Sequence, residues 1–349
     1  MRLLRICRIC LALAAVCLAT AAGQKIPVKV VVVTMFERGA DTGDQPGEFQ
    51  NWVEREKLDR VIKFPQGWRP LRMNKDGVLA VCTGVGTAKA AATVMALGMD
   101  PRFDLTKAYW LVAGIAGVDP LDASIGSAAW AEWVLDGDLA HEIDAREIPA
   151  DWKTGMIPLR KSKPYELPRR LPDEGEVYHL EPSLVEWAFQ LTKNVKLEDT
   201  DAMRQQRSRY GSAPAQRPPF VLKGDTMSSG TFWHGKKLSE WANDWTKYYT
   251  DGQANYVTTA MEDTGTLQSL TWLAAAGKVD RRRTLVLRTA SNFDQQRDGI
   301  TAPESLVETK IGGYVAYLPS LDAAHRVGSV VVHKLVRDWK RYRDELPRP

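Results

Sequence analysis

Short, uninterrupted apolar segments alternate along the chain with longer segments in which apolar residues recur at helical spacing. Uninterrupted apolar strands are typical of a mostly parallel sheet that helices cover on both faces. The pattern predicts strands at residues 28–34, 78–82, 108–112, 127–133, 220–222, 255–259 and 284–288. It predicts helices at residues 47–57, 87–97, 182–192, 236–248, 264–276 and 322–342. The fold class is therefore α/β.

The alternating pattern weakens between residues 135 and 219, a stretch rich in proline and charge with one clear helix. Long segments of this kind inside a compact domain are often functional lids or binding loops. We interpret residues 135–219 as a large insertion or lid, and residues 23–349 as a single α/β domain.

Residues 1–22 have the pattern of a secretory signal peptide: three arginines, an apolar run, and the small residues Ala19, Thr20 and Ala21. We expect cleavage near Ala21–Ala22 and an exported protein, either periplasmic or secreted. The uncharged run falls short of the ~20 apolar residues that a spanning helix needs, and no later segment is longer. The sequence therefore predicts no integral membrane span, with an uncleaved N-terminal anchor as the alternative.

Composition narrows the choice of partners. Of the 349 residues, 44% are hydrophobic and 26% charged, which is typical of a soluble globular protein. Three of the 47 Lys and Arg residues lie in the predicted signal, so the rest nearly balances the 43 acidic residues. Without a broad positive field, a nucleic acid polymer is a poor candidate partner. The histidines and Cys82 show no metal-ligand spacing, so we expect neither a metal nor another cofactor.

Polar residues follow most of the predicted strands, and ligands bind at the carboxyl ends of strands in open α/β sheets. Glu37 and Arg38 follow the first strand. There the carboxylate suits the orientation of a water molecule and Arg38 suits the binding of an anion. A solvated turn is the alternative. Gly84, Gly86 and Thr87 follow the second, where the backbone can approach a ligand and a helix begins. A plain tight turn is the alternative.

Three later segments offer flat walls and aromatic rings. Gly117 follows the third strand and leaves room for a flat ligand or for close packing. Asp225, Phe232 and Trp233 belong to the long polar segment after the fifth strand, which resembles a binding loop more than a connector. The two aromatic rings provide a stacking surface for a base or sugar.

Acidic and amide side chains follow the last two strands. Met261 and Glu262 end the sixth strand, where a carboxylate can accept two hydrogen bonds from a sugar diol. Asn292 and Asp294 follow the seventh strand, and either would converge on the same crevice. No Gly-x-Ser-x-Gly motif of a serine hydrolase is present.

These motifs, in this order, resemble the purine nucleoside permease family across the whole mature chain. The segments that carry the resemblance are VVVTMFE at 31–37, TGVGT at 83–87, WLVAGIAG at 110–117, GD at 224–225, TAMEDTGT at 259–266 and RTASNFD at 288–294. More distantly, their order is similar to that of the nucleoside phosphorylase and nucleosidase superfamily. The resemblance implies a three-layer, phosphorylase-like sandwich around a central mixed, mostly parallel sheet.

The resemblance also implies roles for individual residues. Met261 and Glu262 match the pair that grips ribose, and the turn at 83–87 matches the loop that holds phosphate or water. Asn292 matches the residue that contacts the purine, with Asp294 as the alternative. Glu37 resembles the acid that activates water in nucleosidases, although the expected phosphate-binding Gly-Asp-Pro is absent.

The expected function is binding of a purine nucleoside with cleavage of its N-glycosidic bond. Glu37, Asn292 and Asp294 would be catalytic; Gly84, Gly86, Gly117, Asp225 and the aromatic pair would bind substrate with Met261 and Glu262. Water would serve a nucleosidase, whereas a phosphorylase would use phosphate as co-substrate, bound by Arg38 and Thr87. The alternative is a non-enzymatic nucleoside-binding component of uptake that delivers its ligand to a separate transporter. A homo-oligomer is compatible with either function.

Overall fold

The apolar run after residue 29 forms a strand whose side chains are all buried, and it lies in the middle of a large mixed sheet. The computed structural model describes residues 24–167, 175–310 and 313–349. The predicted signal peptide at 1–22 lies outside the described residues. Helices cover the sheet on both sides, and this architecture confirms the predicted α/β class.

The strands have the following bounds. They are β1 (Ile26–Pro27), β2 (Val30–Thr34), β3 (Arg60–Ile62), β4 (Leu71–Met73), β5 (Val78–Cys82), β6 (Phe103–Asp104), β7 (Tyr109–Val118), β8 (Ala128–Ala131), β9 (Trp133–Asp136), β10 (Ala140–Glu142), β11 (Met156–Pro158), β12 (Val177–His179), β13 (Val221–Lys223), β14 (Asp225–Ser228), β15 (Tyr256–Ala260) and β16 (Thr284–Phe293).

The helices follow the same order. They are α1 (Gln50–Arg55), α2 (Thr87–Met99), α3 (Pro182–Thr192), α4 (Asp201–Arg207), α5 (Ala213–Gln216), α6 (Lys236–Thr250), α7 (Asp263–Ala275), α8 (Ala302–Lys310), α9 (Tyr317–Arg337) and α10 (Trp339–Tyr342), with a 3-10 turn at Arg281–Arg283.

The central sheet runs in the order β12-β9-β14-β15-β7-β2-β5-β4-β3. Strand β16 pairs in parallel with β7 and antiparallel with β8. Strand β2 is parallel to both β5 and β7, whereas β15 is antiparallel to β7. The carboxyl ends of β2 and β5 therefore lie at the same edge, and the helices α1 and α2 follow from that edge.

Two predicted strands are longer in the structure than the apolar pattern indicated. The third continues to Val118 and the seventh to Phe293, because β7 and β16 pair along almost their whole length. Gly117 and Asn292, predicted to follow these strands, therefore lie inside them. The register between the two strands shifts between Ala290 and Asn292, which marks a β-bulge.

Other differences are local. The predicted strand at 127–133 is two strands, β8 and β9, and the predicted loop after residue 223 contains β14. The predicted last helix is α9 followed by the short α10. Within residues 135–219, the strand β12 belongs to the central sheet and α3 contributes Leu184 and Trp187 to the main core. The role of this segment as a lid stays a prediction.

Candidate active site

A pocket opens at the edge of the sheet where β15 ends and β7 and β16 pass alongside. It encloses about 690 Å³, space open to solvent included. Its lining consists of Met35, Phe36, Glu48, Val85, Ile115, Ala116, Gly117, Thr231, Phe232, Trp233, Thr259, Ala260, Met261, Glu262, Ser291, Asn292 and Tyr314. Among the described residues that line it, only Glu48 and Glu262 carry an ionisable acid, and none is Lys, Arg or His.

Glu262 lies on one wall of the pocket, between the end of β15 and the first turn of α7. Its Oε1 accepts a hydrogen bond from the backbone N–H of Gly86 at 3.1 Å. Thr87 donates its hydroxyl to the carbonyl of Met261 at 3.0 Å, so the two loops are joined twice. The structure thus brings the turn at 83–87 and the Met261-Glu262 pair together. Val85, at the tip of that turn, lines the pocket.

Glu48 also lines the pocket, and no pattern in the sequence indicated it. Its side chain is buried, and each carboxylate oxygen accepts one backbone hydrogen bond: Oε2 from Met35 at 2.7 Å and Oε1 from Ile115 at 2.7 Å. Burial raises the pKa of Glu48 to about 8, although Arg288 opposes the shift. A carboxyl with a pKa near the working pH is suited to general acid–base catalysis.

Arg288 lies close to both acidic residues of the lining, Glu48 and Glu262. It is fully buried in β16 and forms an ion pair with Asp263 at 2.8 Å, where α7 begins. Its Nη2 also donates to Glu262 Oε2 at 3.3 Å. Burial raises the pKa of Glu262, and the positive charge of Arg288 limits that rise. The guanidinium is therefore committed to protein carboxylates rather than to a ligand.

Gly114 makes this arrangement possible because it has no side chain. A Cβ placed there would lie 2.0 Å from Met35 Cε, 2.6 Å from Glu48 Oε1 and 2.8 Å from Arg288 Nη1. Any larger residue would displace at least one of these groups. A glycine inside an otherwise apolar strand was the signal in the sequence for a close approach at this point.

Of the two candidates at the base side, only Asn292 lines the pocket. Its Oδ1 accepts from the hydroxyl of Ser291 at 2.9 Å, and its Nδ2 donates to the carbonyl of Phe293 at 2.9 Å. Asp294 instead accepts a hydrogen bond from the hydroxyl of Tyr256 at 2.6 Å. Burial, reinforced by the charge of a neighbouring carboxylate, raises the pKa of Asp294 well above its ordinary value.

The predicted aromatic pair and Gly117 are also on the pocket wall. Trp233 is buried against Trp241, whereas Phe232 is 40% exposed at the mouth. Gly117 lies beside Asn292, and a Cβ there would be 3.4 Å from its Nδ2. Aromatic rings in a pocket wall can stack on a flat heterocycle.

Asp225 lies away from the pocket, in contrast to the predicted role in substrate binding. Its Oδ1 accepts backbone hydrogen bonds from Glu132 and Trp133, and its Oδ2 accepts one from Asn255. Because it binds three backbone amides from two neighbouring segments, Asp225 holds the start of β14 in place. Its role is structural.

Glu37 and Arg38 do not line the pocket either. The carboxylate of Glu37 is buried and accepts hydrogen bonds from the backbone of Arg38, Gly47 and Gln50. It therefore fixes the loop that leads into α1. Arg38 is exposed, and its guanidinium lies 4.5 Å from the centre of the Tyr317 ring. The structure places the predicted water-activating and phosphate-binding residues outside the site.

Two further features bear on chemistry. Burial raises the pKa of Cys82 to about 12, so this thiol is inert in the core. Across the described ranges, no group of three or more His, Cys, Asp or Glu residues has the arrangement of a metal site. Within the same ranges, no helix combines the length and the apolar composition that crossing a bilayer requires.

Solved structures with a similar fold define the structural class. The 5′-methylthioadenosine/S-adenosylhomocysteine nucleosidase of Neisseria meningitidis is 15% identical, with a TM-score of 0.50 over 88% of this chain and 99% of that one. The futalosine hydrolase of Helicobacter pylori is also 15% identical, with a TM-score of 0.52 over 88% of this chain and 98% of that one. The chain therefore has the phosphorylase/nucleosidase fold, as the resemblance predicted.

The sequence itself matches the purine nucleoside permease family over residues 27–347, and the chain belongs to that family. A probable purine nucleoside permease of Schizosaccharomyces pombe is 30% identical over 321 residues, which cover 89% of this chain and 90% of that protein. A purine nucleoside permease of Candida albicans is 32% identical over 268 residues, covering 76% of this chain and 65% of that protein. The resemblance drawn from the motifs is confirmed.

Proposed function

We propose that this protein binds purine nucleosides in the pocket and hydrolyses their N-glycosidic bond. The observation that carries the proposal is Glu48, a buried carboxyl that lines the same pocket as Glu262. With its pKa raised to about 8, Glu48 can exchange a proton near neutral pH. A pair of carboxyl groups beside the sugar is the usual equipment for glycoside hydrolysis.

The shape of the pocket supports a nucleoside as the ligand. Phe232 and Trp233 provide the rings against which a purine stacks, and Asn292 lies at the edge of the base. Glu262 is held by Gly86 and Arg288, so its carboxylate is fixed in position to accept hydrogen bonds from the 2′ and 3′ hydroxyls. The family description, purine nucleoside permease, is consistent with the same ligand.

The proposed reaction proceeds through a transition state with oxocarbenium character. The bond between C1′ and N9 breaks, and its electron pair leaves with the base. A water molecule forms the new bond to C1′ and transfers a proton to the carboxylate of Glu48. Until it takes that proton, the carboxylate of Glu48 helps to stabilise the positive charge that develops on the sugar.

The charges around the pocket favour water over phosphate as the nucleophile. The described lining contains two acids and no cationic side chain, and Arg288 is occupied by Asp263 and Glu262. A phosphate dianion beside Glu48 would meet repulsion without a compensating partner. Arg38, the predicted phosphate ligand, lies outside this lining. We therefore place the activity among nucleosidases rather than phosphorylases.

A second candidate function is supported by Asn292. Its carboxamide cannot donate a proton to a departing base, so a pocket of this kind also suits a binding protein without turnover. Such a protein, exported as its N-terminal residues predict, would deliver a nucleoside to a separate transporter. We retain this candidate, together with a possible homo-oligomer, as the alternative to hydrolysis.

One experiment separates these functions. The mature chain, without residues 1–22, is incubated with inosine, adenosine and guanosine, with and without phosphate, and the free base and sugar are quantified. Hydrolysis predicts free base and ribose in the absence of phosphate. Release only with phosphate, together with ribose 1-phosphate, would show a phosphorylase. Tight binding measured by calorimetry with no base released would show a binding protein.

A further inference from the structure

Asn292, the described lining residue that matches the purine-contacting position, cannot protonate a departing base. Its carboxamide already donates to Phe293 and accepts from Ser291. Asp294, two residues later, lies outside the lining and accepts a hydrogen bond from Tyr256. Neither Asn292 nor Asp294 is therefore placed to protonate a neutral purine that leaves as the N9 anion.

The other polar side chains of the described lining are hydroxyls. Thr231, Thr259 and Ser291 donate hydrogen bonds but are far too weak as acids to transfer a proton at neutral pH. Tyr314 lies at the rim, and burial raises its pKa above the ordinary tyrosine value of 10.0. None of these groups replaces a carboxylic acid at the base.

The electrostatics of the pocket favour a cation. Glu48 and Glu262 both line the cavity, and the positive charge that acts on both is that of one buried arginine, Arg288. Arg288 is shared with Asp263, so three carboxyls surround one guanidinium. A positive charge inside the pocket would offset the cost of ionising two buried acids.

We propose that the pocket is built for purine nucleosides whose base already carries a positive charge, that is, nucleosides alkylated at N7. This inference rests on the proposed function and specifies the substrate class of the same site. The absent acid and the unbalanced carboxyls are two independent observations, and both are explained by a cationic imidazole ring.

The reaction is balanced without an acid. When the C1′–N9 bond breaks, its electron pair passes to N9 and cancels the positive charge of the ring, so the base leaves neutral. Water bonds to C1′ and gives its proton to the carboxylate of Glu48. The cation also favours the ionised form of Glu48 before the reaction. The carboxylate that serves as general base is therefore available at a lower pH than in the free protein.

The binding test uses 7-methylguanosine and guanosine with the mature chain at about pH 6, by titration calorimetry in two buffers of different ionisation enthalpy. We expect 7-methylguanosine to bind at least about tenfold more tightly, which corresponds to ~1.4 kcal/mol. We also expect its binding to release up to one proton, since Glu48 is protonated in the free protein at this pH. Equal affinities and no proton release would overturn the proposal.

A variant identifies the source of the preference. Glu262→Gln keeps the size of the side chain and removes one negative charge. The affinity ratio of the two ligands should therefore fall several-fold in this variant. An unchanged ratio would show that the carboxyl walls do not select the cation.

Turnover gives a second, independent readout. Relative to the uncatalysed rates, wild type should accelerate cleavage of 7-methylguanosine at least about tenfold more than that of guanosine. Asn292→Asp supplies the absent acid and should speed guanosine cleavage selectively, whereas the control Asn292→Ser should not. If 7-methylguanosine binds tightly with proton release but is never cleaved, the proposed hydrolysis fails and the ligand class stands. If both nucleosides are bound with equal affinity and cleaved with equal acceleration, the proposed hydrolysis stands and the proposed ligand class fails.

Discussion

The backbone N–H of Gly86 donates to the carboxylate of Glu262 at 3.1 Å, across 176 residues of sequence. Gly86 adopts φ of +100°, a conformation that favours glycine, and this directs its N–H at the acid. The turn after β5 therefore fixes the orientation of the side chain that ends β15. The ribose-binding role proposed for Glu262 depends on this contact.

Substitution of Glu262 should reveal its contact with the sugar diol. Glu262→Gln removes the negative charge and with it the ion pair with Arg288, and kcat/KM for a purine ribonucleoside should fall about 100-fold. The same substitution should cost several-fold less for the 2′-deoxynucleoside, because one of the two hydroxyl partners is already missing. Steady-state kinetics of wild type and Glu262→Gln, each on the ribonucleoside and on the 2′-deoxynucleoside, measures this coupling. Equal losses on both substrates would mean that Glu262 does not contact the 2′ hydroxyl.

The pH dependence should report the ionisation of Glu48. A general base must be a carboxylate, and the pKa of Glu48 in the free protein is raised to about 8. For a neutral nucleoside, kcat/KM should rise about tenfold per pH unit below this value and level off above it. A profile that instead falls as the pH rises through 8 would show that the protonated form of Glu48 is active.

Gly114 should be intolerant of even one added methyl group. In Gly114→Ala, the new Cβ would lie 2.6 Å from Glu48 Oε1 and 2.8 Å from Arg288 Nη1. We expect kcat/KM to fall at least about tenfold through displacement of Glu48, since errors near 1 Å cost up to 100-fold. Gly211→Ala is the matched control, because its Cβ would meet only Asp298 Oδ2 at 3.6 Å. Full activity in Gly114→Ala would contradict the crowded arrangement.

Stability should depend on pH through the same carboxyl. Because the folded-state pKa of Glu48 is raised from 4.5 to about 8, folding favours its protonated form. Its stabilising contribution is complete below pH 4.5 and is lost as the pH rises to about 8, by on the order of 5 kcal/mol. Urea unfolding across this range should show the free energy of unfolding of wild type falling relative to Glu48→Gln. If the free energy of unfolding varied with pH in the same way for the two proteins, the raised pKa of Glu48 would be ruled out.

The apolar pattern was sufficient to locate the buried central strands and the helices that follow them. The bounds of β5 are those predicted, because all five of its residues are apolar and buried. The strands β3 and β4 were missed, since each has only three residues, too few to show a strand pattern. The pairing of β4 with β5, and of β3 with β4, is a tertiary effect that no local pattern shows.

The site was predictable where a residue follows a buried strand directly. Glu262 and the turn containing Gly86 meet as expected, although β15 runs antiparallel to β7. Glu48 was missed because it lies beyond a polar loop, and its position depends on two backbone amides, those of Met35 and Ile115. Glu37 has the more conspicuous place in the sequence, yet the loop turns its carboxylate toward the start of α1.

The bulge in β16 explains why the sequence left Asn292 and Asp294 as alternatives for the residue that contacts the purine. Regular alternation would place Ser291 and Asn292 on opposite faces of the strand, but both line the pocket. The register shift between Ala290 and Asn292 brings them to the same side. A bulge of this kind leaves no mark in a single sequence, so the choice between Asn292 and Asp294 required the structure.

The activation of water by Glu48 is tested most directly by single-turnover base release with wild type and Glu48→Gln, each at saturating protein. The account predicts a rate for Glu48→Gln at least about 100-fold lower, with the dissociation constant for the nucleoside within a few-fold of that of wild type. An undiminished rate of base release in Glu48→Gln would contradict it.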